Sequence, residues 1–136
     1  MPESLNAAIE LHDSVVQSIF RNQLYLLVAL RPAWIHKTTG TPGVDAGSCF
    51  VQDVILEFGT AETAGEIGDL PADMLDGELR IEDMVFSNMI TLPCEFVGAT
   101  SFSIHLSPDY RAISITGHGI KAKLEGEPRY IQEFRS

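Results

Sequence analysis

Apolar and polar residues alternate from Arg111 to Leu124, but the alternation changes phase partway. Ile113 and Ile115 set the inward face on odd positions. After Gly117-His118-Gly119, Ile120, Ala122 and Leu124 carry it on even positions. A strand's side chains repeat every two residues, so an uncorrected one-residue slip would turn the core face to water. An extra residue taken up at the glycines keeps one face buried. The pattern therefore predicts a long, bent antiparallel strand with Gly117 or Gly119 at positive φ.

The same period runs through most of the chain. Val15 to Phe20 and Leu24 to Leu30 flank Arg21-Asn22-Gln23 and read as a hairpin. Leu24 to Leu30 is apolar on both faces, as in a strand covered on both sides or one meeting a second subunit. Cys49 to Phe58, Leu79 to Ile81, Glu95 to Leu106 and Tyr130 to Phe134 are further strands, with Glu125 to Pro128 as the last turn. Met84 to Leu92 is apolar but poorly phased, and Pro93 ends it or places it on an edge. Thr38 to Ser48 and Thr60 to Asp76 read as loops, the second with a helical turn at Ala72 to Leu75 and a turn at Asp76-Gly77. Ser4, Leu5, Ala8 and Ile9 carry the cap and spacing of one short N-terminal helix. The expected fold is all-β and mainly antiparallel, a β-sandwich or open barrel of about eight or nine strands in a single domain over residues 1–136. The expected core is Val16, Leu26, Val28, Phe50, Leu56, Phe58, Leu79, Ile81, Phe96, Phe102, Ile104, Ile113, Ile115, Ile120 and Leu124.

Composition narrows the function classes more than it names one. A net charge of −10, from 19 acidic and 9 basic residues, disfavours nucleic acid and anionic membranes as partners. Met1-Pro2-Glu3-Ser4 lacks the basic segment and apolar run of a secretory leader. The longest apolar stretch is too short to span a bilayer. Cys49 and Cys94 do not make a disulfide framework and are expected as reduced, buried thiols, so the expected location is cytoplasmic.

Few residues suggest chemistry. His12-Asp13-Ser14 holds the three residue types of a hydrolytic triad. Neighbours on a strand point to opposite faces, so the trio cannot form the relay alone, and Asp13 and Ser14 are expected to turn the backbone before the first hairpin. A hydrolase would need His12 beside a carboxylate from elsewhere. The histidines His12, His36, His105 and His118 have no metal-ligand spacing, so a metal site would need separate strands, and no metal or cofactor is expected. His118 is the best single histidine candidate, because a bulge can re-aim a side chain; with His12 and Asp13 it makes the candidate polar site. His105 reads as a satisfied histidine on the polar face of its strand. Glu57 to Asp83 is densely acidic, with Arg80 its only cation, and Glu62, Glu66, Asp69 and Asp73 are the expected partner-binding residues. Catalytic residues are not assigned.

Leu11-His12-Asp13-Ser14, Leu70-Pro71 before Leu75-Asp76-Gly77-Glu78-Leu79, Gly117-His118-Gly119 and Gly126-Glu127-Pro128-Arg129-Tyr130 give the chain a resemblance to small β-rich bacterial proteins that open with Leu-His-Asp-Ser. Some similar small proteins are immunity proteins that neutralise toxins. The resemblance implies a non-enzymatic module and carries over no catalytic residue. The leading expectation is a non-catalytic interaction module whose acidic surface meets a basic protein, in a homodimer formed through Leu24 to Leu30 and Met84, Phe86 and Met89. The alternatives are a small hydrolase using His12 with a carboxylate, and a β-barrel holding a small ligand among Phe50, Phe58, Phe96 and Phe102.

Overall fold

The computed structural model describes residues 6–135. It is an all-β, sandwich-like fold of ten strands, every pairing antiparallel, with no helix among the described residues. The strands are β1 (Asn6–Glu10), β2 (Val15–Asn22), β3 (Tyr25–Thr38), β4 (Gly47–Gly59), β5 (Glu62–Ala64), β6 (Ala72–Ile81), β7 (Met84–Ser87), β8 (Met89–Leu92), β9 (Glu95–Leu106) and β10 (Arg111–Phe134). Their order is β2-β6-β9-β10-β4-β3-β1-β8, and β2 also pairs with β3, so the hydrogen-bonded ladder returns on itself. The closing contact with β6 is short, Val15 opposite Asp73 and Val16 opposite Ala72.

β3 is long enough to serve two neighbours on one edge. Its first half, Tyr25 to Leu30, pairs with β2. Its second half, Trp34 to Thr38, pairs with β1. The change falls at Arg31-Pro32, where the register with β4 also shifts. Proline has no amide hydrogen to give a ladder, so the break belongs there. The β2–β3 hairpin turns through Gln23 and Leu24, with Asn22 opposite Tyr25.

The phase break in β10 is a bulge. Its register with β9 shifts between His118 and Ile120, and Gly119 has φ +96°. Ile113, Ile115 and Ile120 all stay buried across it. One cluster of buried side chains fills the interior, with Phe58 stacked on Phe102 at 5.5 Å between centroids and both fully buried. That filled interior gives a ligand-holding barrel no support.

Several expectations change. The expected N-terminal helix is absent: Asn6 to Glu10 forms β1 between β3 and β8, so Ala8 and Ile9 are both buried by sheet neighbours and packing. Ser4 and Leu5 lie outside the described residues. Ala72 to Leu75 is extended within β6, and Asp76-Gly77 continues that strand at a register shift against β9. Glu125 to Pro128 does not end a strand, because β10 runs on past it through a second irregularity against β4. Leu124 is 44% exposed rather than core. Phe50 and Phe96 are half-buried. Leu26, Val28, Ala29 and Leu30 are buried within this chain's own packing, whereas Leu24 and Tyr25 at the hairpin end are exposed.

Candidate functional site

The turn between β1 and β2 decides which side chains meet. Leu11 and Ser14 are fully buried, and the Ser14 amide donates to the Leu11 carbonyl at 3.0 Å, closing a four-residue turn. His12 and Asp13 occupy its two central positions and are exposed. Asp13 has φ +79°, a conformation that Asp and Asn tolerate better than most residues. The Ser14 hydroxyl donates to the Glu10 carbonyl at 2.6 Å and accepts from the Trp34 amide at 2.9 Å. From the other side Asn88 clamps the turn: its carbonyl accepts from the Leu11 amide at 2.7 Å and its side-chain oxygen from the His12 amide at 2.8 Å.

This scaffold brings Glu10, His12 and Asp13 together, with one ligand-type atom from each within 4.8 Å of the others. His12 Nδ1 lies 3.4 Å from Asp13 Oδ1. Glu10 leans inward from β1, where burial holds its carboxyl above the ordinary value and His36 partly offsets that shift. His36 is buried on β3, with Nε2 3.5 Å from Glu10 Oε1 and Nδ1 3.6 Å from Cys49 Sγ. His36 Nε2 has no hydrogen-bond partner. Burial raises the Cys49 thiol above its usual value, so it stays a neutral thiol whose hydrogen can point at Nδ1. A thiol hydrogen pointing at Nδ1 would put the ring proton on Nε2, facing Glu10.

A second polar group joins β6, β9 and the turn that follows β9. His105 Nδ1 is 2.6 Å from Asp76 Oδ1, the Tyr110 hydroxyl donates to Asp76 Oδ2, and the His105 and Tyr110 rings stack at 4.3 Å. Tyr110 first, then His105, hold the Asp76 carboxyl below its ordinary value, and His12 is near enough to add to the effect. The sequence pattern places Asp76 in a turn with Gly77 and His105 on the polar face of its strand. The pairing of β6 with β9, Asp76 opposite His105, makes them a unit.

His118 does not join His12. It is exposed at the β10 bulge, in a shallow groove of about 340 Å³ that it shares with Tyr25, Glu57 and Phe96, at the hairpin end of β2 and β3. His12 precedes the opposite end of β2. Glu62, Glu66, Asp69 and Asp73 are all exposed. Glu62 stands on β5, which replaces part of the expected loop, and Asp73 on β6, while Glu66 and Asp69 lie in the connection between them. Arg111 pins that connection, its guanidinium donating to the carbonyls of Ile67, Asp69 and Ser107. Glu66 and Asp69 line a cavity of about 480 Å³ beside Asp109 and Arg111.

No family model matches the chain, and no curated protein or solved structure matches it either. No helix among the described residues is long and apolar enough to cross a membrane.

Proposed function

We propose that the chain is a small hydrolase whose working site is the β1–β2 turn, with His12 as the proton carrier and Glu10 and Asp13 as its carboxylates. The observation that carries this reading is the convergence of those three side chains on a turn fixed from both sides by Ser14 and Asn88. Neutral His12 takes a proton from an attacking water as its oxygen bonds to an ester carbon or phosphorus. It returns that proton to the departing alkoxide. A carboxylate beside the ring stabilises the imidazolium formed between the two steps. His12 and Asp13 are exposed, so a small polar ester can reach them from solvent. The test is a panel of activated carboxylic and phosphate esters with wild type and His12→Ala. A rate falling about 10²–10⁴-fold in the variant supports the reading. Equal rates for the two proteins, or no turnover of any ester, would overturn it.

A second reading, an acidic face for a basic protein, is favoured by the exposure of Glu62 on β5, Asp73 on β6, and Glu66 and Asp69 on the connection that Arg111 holds in place. An ordered acidic surface steers a basic partner at low salt and loses it as salt rises. Neutralising the four residues should abolish salt-sensitive capture, and unchanged capture would exclude this face. A homodimer remains a proposal on a different edge. From Lys123 to Phe134, β10 pairs only with β4, and Leu124, Tyr130 and Ile131 stand exposed along that stretch. Light scattering that finds only monomer at micromolar concentration would remove it.

A further inference from the structure

We propose that Glu10, His12 and Asp13 bind a divalent transition-metal ion, and that buried His36 is the positioning residue that aims Glu10 at it. This goes beyond the hydrolytic reading at the same place and gives His12 a ligand's role in place of a proton carrier's, so ion binding and turnover are separate measurements. Two observations carry it independently. The first is the cluster itself: one imidazole nitrogen and two carboxylates with ligand atoms within 4.8 Å of each other. Ligands on a zinc ion sit about 2.0–2.2 Å from the metal, so small rotations of the exposed His12 and Asp13 side chains would close the set.

The second is His36. A histidine nitrogen buried without a partner is costly, and native proteins seldom leave one so. His36 Nε2 is such an atom, its side chain is 5% exposed, and it faces Glu10 Oε1 at 3.5 Å, slightly too far for a hydrogen bond. Its other nitrogen lies 3.6 Å from the Cys49 sulfur, and a thiol hydrogen aimed at it would make Nε2 the donor. A cation would hold Glu10 through one oxygen, and the other could then accept from His36 Nε2. Such outer hydrogen bonds to a ligating carboxylate are the usual way a protein fixes the ligand's orientation. An ion that turned Glu10 in this way would leave the His36 nitrogen paired.

The donor set decides the class of ion. One nitrogen with two carboxylates suits zinc or manganese, whereas calcium needs six to eight oxygens. Three protein ligands leave a position for water, and a metal-bound water is a stronger acid than free water. His12 then has a different part from the one it plays without the ion, which is why the two readings must be measured apart.

The test is calorimetric titration of zinc chloride into the full chain, with cobalt as a spectroscopic probe. The expected result is a single zinc ion per chain, with affinity falling about tenfold or more in His12→Ala, in Asp13→Asn and in His36→Phe. Asp13→Asn keeps a residue that tolerates positive φ, and circular dichroism confirms that each variant is folded. Cobalt should show no thiolate charge-transfer absorption, because Cys49 is not a ligand. No zinc binding at millimolar concentration, affinity unchanged in His12→Ala, a cobalt–thiolate signal, or calcium binding tighter than zinc would each overturn the inference. Zinc binding lost in His12→Ala without ester turnover supports this inference and removes the hydrolytic reading. Turnover lost in His12→Ala by a chain that binds no zinc does the reverse.

Discussion

Replacing Ser14 by Ala tests whether the candidate site is held by its scaffold. Ser14 is fully buried, and its hydroxyl satisfies two backbone groups at once, the Glu10 carbonyl and the Trp34 amide. The hydroxyl stands where a ladder bond between β1 and β3 would otherwise be, since Glu10 lies opposite Trp34. Alanine fills nearly the same space, so packing changes little. It leaves an orphaned donor and an orphaned acceptor. A buried polar group left unsatisfied costs about 1–3 kcal/mol, so the two together should cost about 2–4 kcal/mol after partial relaxation. Urea unfolding followed by fluorescence of Trp34 should show that loss as a lower midpoint with an unchanged slope. Faster amide hydrogen exchange at Trp34 should accompany it. A loss below about 0.5 kcal/mol would mean that the hydroxyl does not hold the turn, and the fixed geometry of Glu10, His12 and Asp13 would lose its explanation.

Three further outcomes follow from other parts of the fold. Gly119→Val places a β-branched side chain at φ +96°, with its Cβ 3.2 Å from the Phe96 carbonyl, and should destabilise by about 1–3 kcal/mol in the same assay. Tolerance of valine there would remove the bulge argument. Asp76 has a folded-state value below its ordinary 3.8, so its stabilising effect is complete above that pH and is lost as pH falls through the lowered value. Asp76→Asn should therefore flatten the acid limb of a stability–pH curve, and an unchanged limb would show that Tyr110 and His105 do not hold the carboxylate. The Cys94 thiol is pushed up to about 11 by burial. Only roughly one molecule in a thousand carries its thiolate near pH 8, so alkylation should be slow in the native protein and fast in urea, and equal rates would contradict the burial.

Much of the fold was legible because alternation survives wherever one face of a strand is buried. The β10 bulge could be read from Ile115 and Ile120 alone, since only an extra residue keeps both inside. β1 was not legible. Ala8 and Ile9 are adjacent and both buried, so the segment lacks the alternation of a half-exposed strand and fits a helical spacing equally well. Leu124 failed for a different reason: the alternation continues there, but β9 no longer accompanies β10, and the face has less to pack against. The candidate site was half legible. His12 and Asp13 could be picked out, and Ser14 behaved as the backbone-turning residue expected of it. Glu10, His36, Cys49 and Asn88 could not be found, because they come from β1, β3, β4 and the β7–β8 link and meet only through strand pairing. Their spacing in the chain carries no signal. His36 stood out only as one of four histidines without ligand spacing, and the structure buries it.

The proposed site requires Glu10 and His12 to act as one unit. The most direct measurement is a double-mutant cycle on kcat/KM for the best ester substrate, with wild type, Glu10→Gln, His12→Ala and the double variant. If the pair works together, the double variant should lose about as much as His12→Ala alone, a coupling of about 1–3 kcal/mol. Losses that simply multiply would contradict the claim, because two residues acting independently are not the site described.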